Sequence, residues 1–423
     1  MNPSINAPVA SVSPDKGAMV ILGAGHCGAR AAQALRKHGW AGAIHLVGNE
    51  NHLPYERPPL SKGILTGDAT IGQSTILSPN DIASLDIKRH VAQGLKVEPS
   101  ERHLTLSTGE VLKYTSLLIS TGGQARRFDV SGSQLPQVLT LRTVDDAQRL
   151  AKRLCVGHRL VVVGGGFIGL EVAASAIARG CTVTVIEMSQ HLMGRAVPKA
   201  IAARAQALHA QRGVTFVLQN GIASITEDRA CSHVHLTDGS HINADTVLLG
   251  IGIDVDTKLA RAAGLAVGRG ILVNALLMTS VAGIFAAGDV AEFPSGITGS
   301  LIRQETWHNA ETQAATVAAN MLGQNFPYSA GAWFWSDQYE YQLQVSGEPA
   351  AGVTAISRST GNEDLIIFYL DSNSRLVGSC GWGPSSAIAK DLKIARALVE
   401  RATLLRAKDL QDPAINLKTL LNR

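Results

Sequence analysis

"AMVILGAGHCGARAAQALRKHG" occupies residues 18–39. An apolar run leads into Gly23, Gly25 and Gly28 at GxGxxG spacing, and an alanine-rich helical stretch follows. A short buried strand, a glycine turn and a helix, in that order, form the fingerprint of a dinucleotide-binding unit. The first glycine permits the tight turn, the second lets backbone approach a pyrophosphate, and the third lets helix pack on strand. The helix N-terminus then favours the phosphate charge. A second strand, "AIHLVGNE" over residues 43–50, ends at Glu50, the candidate for binding an adenosine ribose.

The same grammar returns in "RLVVVGGGFIGLEVAASAIARG", residues 159–180, with Gly164, Gly166 and Gly169 as its glycines. Here the following strand, "TVTVIE", closes on Glu187, 23 positions after Gly164. A carboxylate at that spacing accepts hydrogen bonds from both ribose hydroxyls and repels a 2′-phosphate. Met188, Ser189 and Gln190 supply no arginine for such a phosphate, so the pattern predicts NADH rather than NADPH. Sequential parallel strands need helical crossovers, so each unit predicts a parallel sheet. The pairing extends further: residues 103–123 and 233–252 each predict a hairpin followed by a strand running into glycine. A third glycine segment, "SVAGIFAAGDVAEF" at 280–293, carries Asp289 in its turn. From about residue 326 aromatics cluster and strands alternate, which predicts a separate C-terminal domain. Two dinucleotide sites in one chain imply two cofactors. The economical pair is a flavin dinucleotide and a nicotinamide, because a flavin takes a hydride and releases single electrons.

Composition excludes several other classes. Apolar content of 45% and charge of 17% over 423 residues describe a well-buried globular protein. A net charge of +4 with no basic run interleaved with aromatics argues against nucleic acid. The five cysteines are dispersed without any CxxC, which predicts free thiols in a reducing cytoplasm and no redox-active dithiol. Residues 1–16 lack a basic n-region and an apolar core, so they predict a flexible tail rather than a signal peptide. No apolar run reaches the roughly 18 residues of a membrane span, so no membrane association is expected.

Taken together, the motifs resemble those of the FAD-dependent pyridine nucleotide oxidoreductases. Within that family the chain is similar to the ferredoxin and rubredoxin reductases that serve bacterial aromatic-ring dioxygenases and cytochrome P450 systems. The likeness spans residues 18 to 415 and rests on "GAGHCGARAAQALR", "PYERPPLSK", "LLISTGG", "LRTVDDA", "VVVGGGFIGLEVAA", "GIFAAGDVAEF", "RQETWHNAETQA" and "WFWSDQY". It implies an α/β flavoprotein of the glutathione-reductase type, with two Rossmann-like dinucleotide-binding domains and a C-terminal α+β domain. The expected boundaries are a discontinuous FAD domain at 17–124 and 245–325, an NAD domain at 125–244 and the last domain at 326–423.

The resemblance also implies roles for single residues. The first glycine motif holds FAD and the second holds NADH. Asp289 matches the aspartate on the flavin ribityl chain, and Arg57, Lys62, Arg142 and Trp307 match flavin-contacting positions. Glu171 falls near the nicotinamide and is expected to pair with Lys62. Trp335 matches a tryptophan between flavin and ferredoxin. Four departures stand out: Val255 and Asp256 replace a common Pro-Asn, Ala332 replaces a common Pro, and Asn49 stands where an acid is common. The implied activity is that of a ferredoxin--NAD(+) reductase, delivering electrons singly to an acidic [2Fe-2S] ferredoxin and through it to a terminal oxygenase. A rubredoxin or a P450 ferredoxin is the alternative acceptor. A peroxide or disulfide reductase needs a cysteine beside the flavin, and residues 50–65 have none. A flavin-bearing signalling protein sharing "PPLSK" is the rival from another class.

Two features lie outside that scheme. "HVH" at 233–235 puts two histidines on one strand face, but the sequence offers no third ligand, so no metal centre is expected. In the last helix Ile388, Leu392, Ala395 and Val399 form an apolar stripe, with Lys390, Lys393, Arg396 and Arg401 off it. A basic face of that kind is suited to steering an acidic ferredoxin.

Overall fold

A computed structural model describes residues 17–194, 196–228, 231–359, 361 and 363–422. The tail expected at 1–16 lies outside the described residues. The chain divides into two compact units, one comprising residues 1–56, 74–124 and 255–332, the other 57–73, 125–254 and 333–423.

The first unit is built on a five-stranded parallel sheet. Its order is Ile284–Ala286, Ser116–Ile119, Ala18–Leu22, Ala43–Gly48 and Ile87–Val91. The strand entering the first glycine turn is therefore central. It is apolar throughout because both faces are covered, as parallel sheets require. Helix His26–Lys37 lies on one face beside helix Trp307–Met321, and Leu35, Ala314, Val317 and Ala318 are buried between helices and sheet. A three-stranded antiparallel sheet spans Gly94–Glu98, His103–Leu106 and Val111–Lys113.

The second unit repeats this plan. Its parallel sheet runs Thr215–Leu218, Thr182–Glu187, Arg159–Val163, Thr246–Leu249 and Val138–Thr140. Again the strand feeding the glycine turn is central. Again an antiparallel three-stranded sheet accompanies it, at Ile222–Glu227, Ser232–Leu236 and His241–Ala244. Strand Thr246–Leu249 pairs with Arg159–Val163, so the expected boundary at 245 falls one strand early, and the first unit resumes at Val255. A buried parallel strand carries no mark of which sheet it joins, hence the shift.

The remainder of this unit is an antiparallel sheet in the order Trp333–Gln338, Tyr341–Gly347, Leu376–Pro384, Leu365–Leu370 and Thr354–Arg358. Helix Ser385–Glu400 covers one face, burying Ile388, Leu392, Ala395 and Val399 against Phe368 and Leu376. The opposite face packs Leu343, Val345 and Trp382 against Leu170 and Ile201 of the second dinucleotide fold. Among the described residues no helix is long and apolar enough to cross a membrane.

Candidate active site

Each parallel sheet ends in a cradle made by its glycine turn. Gly23 sits at φ 117° and Gly164 at φ 104°, a left-handed backbone that side chains rarely adopt. A Cβ on Gly28 would stand 1.9 Å from the Gly23 carbonyl, and one on Gly169 would stand 2.1 Å from the Gly164 carbonyl. Those glycines are consumed by helix packing. Gly25 and Gly166 differ: no atom lies within 4 Å of either Cβ position. The space in front of both helix N-termini is open, as a pyrophosphate needs. The residues present therefore fit two dinucleotides.

In the first unit, Glu50 follows the second strand and accepts the Tyr55 hydroxyl at 2.5 Å, while its own carbonyl accepts Arg89 Nη2 at 3.0 Å. Asp289 occupies a turn directly after strand Ile284–Ala286. Next to it, the Gly288 N–H donates to Gln313 Oε1 at 2.7 Å. Trp307 opens its helix after Thr306, whose hydroxyl caps the N–H of Asn309 at 3.1 Å. A cluster that the sequence did not reveal lies beside this helix start. His26 Nε2 is 2.6 Å from Glu311 Oε2, Arg30 Nε donates to the same oxygen at 3.0 Å, and the His26 ring lies 5.1 Å from that of Trp307. The His26 hydrogen bond, helped by the Arg30 charge and opposed by burial, holds Glu311 below the usual carboxylate range. His26 Nδ1 and Gln313 Nε2 are buried without a protein partner, and such polar atoms suit a polar cofactor lodged against them.

Cys27, one turn inside the same helix, is buried. Burial, reinforced by Asp289 and Glu311, pushes its thiol far up and keeps it protonated. Burial does the same to Cys380. All five cysteines are free.

The second unit gathers the other expected residues. Glu187 ends its strand with Oε2 accepting the Gly165 N–H at 2.9 Å and Oε1 accepting the Ser189 N–H at 2.7 Å. The carboxylate is thus fixed at the lip of the second glycine turn. Arg142 is set by a capping box in which Thr143 and Asp146 close the start of helix Val144–Ala151, and its carbonyl accepts Arg57 Nη1. Pro58 and Pro59 fix a 3-10 turn over Pro58–Ser61. Helix Phe167–Ala178 grips that turn, Ser175 Oγ donating to the Ser61 carbonyl at 2.8 Å and Arg179 Nη1 to the Leu65 carbonyl at 2.7 Å.

Glu171, only 4% exposed, is the centre of this arrangement. Its Oε2 accepts Lys62 Nζ at 2.9 Å and Ser61 Oγ at 2.5 Å, and its Oε1 accepts Ser336 Oγ at 2.7 Å. Lys62 Nζ also donates to the Pro58 carbonyl at 3.2 Å and lies 4.0 Å from Asp337 Oδ2. That same Oδ2 accepts the Trp335 indole N–H at 3.0 Å. Trp335 stacks on Trp333 at 5.0 Å, and Arg396 lies 5.0 Å over the Trp333 ring. The expected Lys62–Glu171 pair therefore exists, and Trp335 reaches it through Asp337. Ser61, Ser336 and Asp337 were missed by sequence reasoning. The only available signal was their place inside "PPLSK" and "WFWSDQY". Below Ser336, buried His209 Nε2 donates to Gln338 Oε1 at 3.0 Å, and burial pushes the His209 pKa down to about 4.

Comparison with known proteins agrees with this geometry. The family described as pyridine nucleotide-disulphide oxidoreductase matches residues 17–314, and the reductase C-terminal family matches residues 333–421. The chain is 37% identical to the "p-cumate 2,3-dioxygenase system, ferredoxin--NAD(+) reductase component" of Pseudomonas putida, covering 95% of this chain and 97% of that protein. The crystal structure of the ferredoxin reductase for the CYP199A2 system of Rhodopseudomonas palustris superposes with a TM-score of 0.91 at 32% identity, covering 96% and 99% of the two chains. The reductase chain in the covalent putidaredoxin reductase-putidaredoxin complex matches at a TM-score of 0.92 and 31% identity, covering 96% and 98%.

Proposed function

Because this chain belongs to the pyridine nucleotide-disulphide oxidoreductase family, we propose that it is an NADH-dependent FAD flavoprotein that passes electrons singly to a [2Fe-2S] ferredoxin feeding an oxygenase. The observation that carries the reading is the pair of open glycine cradles in one chain, with the ion pair of half-buried Lys62 and buried Glu171 built on a segment that contains no cysteine. Bound FAD supplies the chemistry, accepting a hydride from NADH and returning its two electrons one at a time.

The residues of the chain supply position and charge. Gly25 and the helix behind it receive the FAD pyrophosphate, Glu50 the adenosine ribose and Asp289 the ribityl chain. Arg57, Lys62, Arg142 and Trp307 contact the flavin. Gly166 and Glu187 do for NADH what Gly25 and Glu50 do for FAD, and the charge of Glu187 rejects a 2′-phosphate. Glu171 holds the Lys62 ammonium at a fixed place, so the pair acts by orientation and electrostatics rather than by proton transfer. Trp335 lies on the route to the acceptor. Lys390 and Lys393, exposed on helix Ser385–Glu400, favour an acidic ferredoxin. Free cysteines support a cytoplasmic setting.

A second reading concerns only the acceptor. The likeness to reductases of the CYP199A2 and putidaredoxin systems supports a ferredoxin that serves a cytochrome P450. One experiment tests both. NADH-driven cytochrome c reduction is measured without carrier, with a dioxygenase-type ferredoxin, and with a P450-type ferredoxin. A rate unchanged by either carrier rejects the proposal, and the ratio of kcat/KM for the two carriers decides the acceptor.

A further inference from the structure

The two histidines at 233 and 235 acquire in the fold what the sequence did not show. Strand Ser232–Leu236 buries Val234 and Leu236 and turns His233 and His235 to the opposite face. At the end of the strand, Asp228 and Cys231 are tied together. The Asp228 N–H donates to the Cys231 carbonyl at 3.1 Å, and the Cys231 N–H donates to Asp228 Oδ1 at 3.0 Å. The other carboxylate oxygen, Oδ2, lies 2.9 Å from His233 Nε2. One ligand atom each from Asp228, Cys231 and His233 falls within 4.8 Å of the others.

The surroundings of His233 sharpen the point. Its cross-strand partner is Asn243, whose Oδ1 is 2.9 Å from Nδ1. The ring is thus held from both sides, by Asp228 at Nε2 and by Asn243 at Nδ1. A divalent ion fits between Nε2 and the Asp228 carboxylate. It takes the place of the Nε2 proton, Asp228 turns from acceptor to ligand, and Asn243 keeps the Nδ1–H and with it the ring orientation. Among the described residues, Arg159 lies beside the cluster, bound to Asp245 at 2.6 and 3.1 Å and hydrogen-bonded to Cys231.

We propose that Asp228, Cys231 and His233 bind one borderline-soft divalent transition ion, with Zn2+ the first candidate. A thiolate, an imidazole and a carboxylate are the mixed donor set that suits Zn2+, and water completes a tetrahedron. The thiolate and carboxylate together balance the charge of the ion. A tetrahedral site with bonds of about 2.0–2.3 Å separates its ligand atoms by roughly 3.3–3.8 Å, so the 2.9 Å contact opens only slightly on binding. The ion cross-links Asp228 to strand Ser232–Leu236 and masks the Cys231 thiol.

The test uses the FAD-loaded protein and Zn2+ alone. Thiol alkylation is followed by peptide mass spectrometry with and without one equivalent of Zn2+, and exposed Cys155 is the internal control. Zn2+ is expected to slow labelling of Cys231 at least about tenfold while Cys155 is unchanged, because a metal-bound thiolate is a poor nucleophile. Calorimetry is expected to show one site per chain. Asn243→Ala, which keeps all three ligands, should weaken binding by about 10–100-fold, and His233→Asn should do so by at least as much. Unfolding temperatures of both variants without metal show that the hairpin is intact. Equal labelling of Cys231 with and without Zn2+ overturns the proposal. So does protection that persists in the D228N/H233N double variant.

Discussion

Replacing Lys62 with methionine should cost more than neutralising its partner, and the structure says why. Glu171 is 4% exposed, whereas the Lys62 side chain retains 24% exposure. At 2.9 Å and an effective dielectric of about 20, the pair attracts by about 6 kcal/mol, and desolvation of the carboxylate offsets several of these. Lys62→Met leaves Glu171 buried with two hydroxyl donors and no counter-charge, a situation that costs about 3–5 kcal/mol. Glu171→Gln is milder. Its amide oxygen still accepts a hydroxyl, and the ammonium keeps the Pro58 carbonyl and the nearby Asp337, so about 1–2 kcal/mol is lost. The double variant buries no net charge and should be more stable than Lys62→Met alone. Urea unfolding of the FAD-loaded protein, followed by near-ultraviolet circular dichroism, gives all four stabilities. If Lys62→Met costs no more than Glu171→Gln, or if the two costs simply add, the ion pair is not what holds this carboxylate.

Other outcomes follow from single residues. Gly28→Val places a Cβ 1.9 Å from the Gly23 carbonyl and should abolish FAD retention, checked by the flavin-to-protein absorbance ratio of the purified variant. Glu187→Ala removes a charged acceptor worth about 1.5–3 kcal/mol, so kcat/KM for NADH should fall roughly 10–150-fold while NADPH gains relative to NADH. The discriminating measurement is that ratio in anaerobic flavin bleaching. His209 binds a proton less readily when folded, with its pKa near 4 against an ordinary 6.5. Between those values the unfolded chain holds the extra proton, so its contribution is complete above pH 6.5 and is lost as pH falls. That loss amounts to about 2 kcal/mol by pH 5, and His209→Gln should flatten the stability–pH curve over that window. Trp335→Ala should slow ferredoxin-dependent cytochrome c reduction while leaving flavin reduction by NADH within about twofold; an equal drop in both refutes an acceptor-side role.

Local grammar made much of this fold readable. Glycine spacing and apolar strands marked both dinucleotide folds, because strand, turn and helix are contiguous and each residue's reason is local. The capping residues Thr143 and Asp146 obey the same logic. The site was less legible, since its geometry joins stretches far apart. Glu171 meets Ser61 across 110 positions and Ser336 across 165, and His26 meets Glu311 across 285. No periodicity encodes such meetings. Strand Thr246–Leu249 was ambiguous for a different reason, as a fully buried run fits either parallel sheet equally well. His233 was legible as a histidine on a strand face, but its neighbours Asp228 and Cys231 lie before the strand, where no alternation marks them.

The scattered partners of Glu171 also have a consequence in time. A nascent chain grows at about 5–20 residues per second, so roughly 8–33 s separate synthesis of Glu171 from synthesis of Ser336. Throughout that interval the helix carrying Glu171 can form and dock on its own sheet, and the turn bearing Ser61 and Lys62 already exists. The last hydroxyl does not. The carboxylate is enclosed only when strand Trp333–Gln338 arrives, which delays closure of this centre until that strand is made and makes a chain cut before it a protein with its glutamate still open to water.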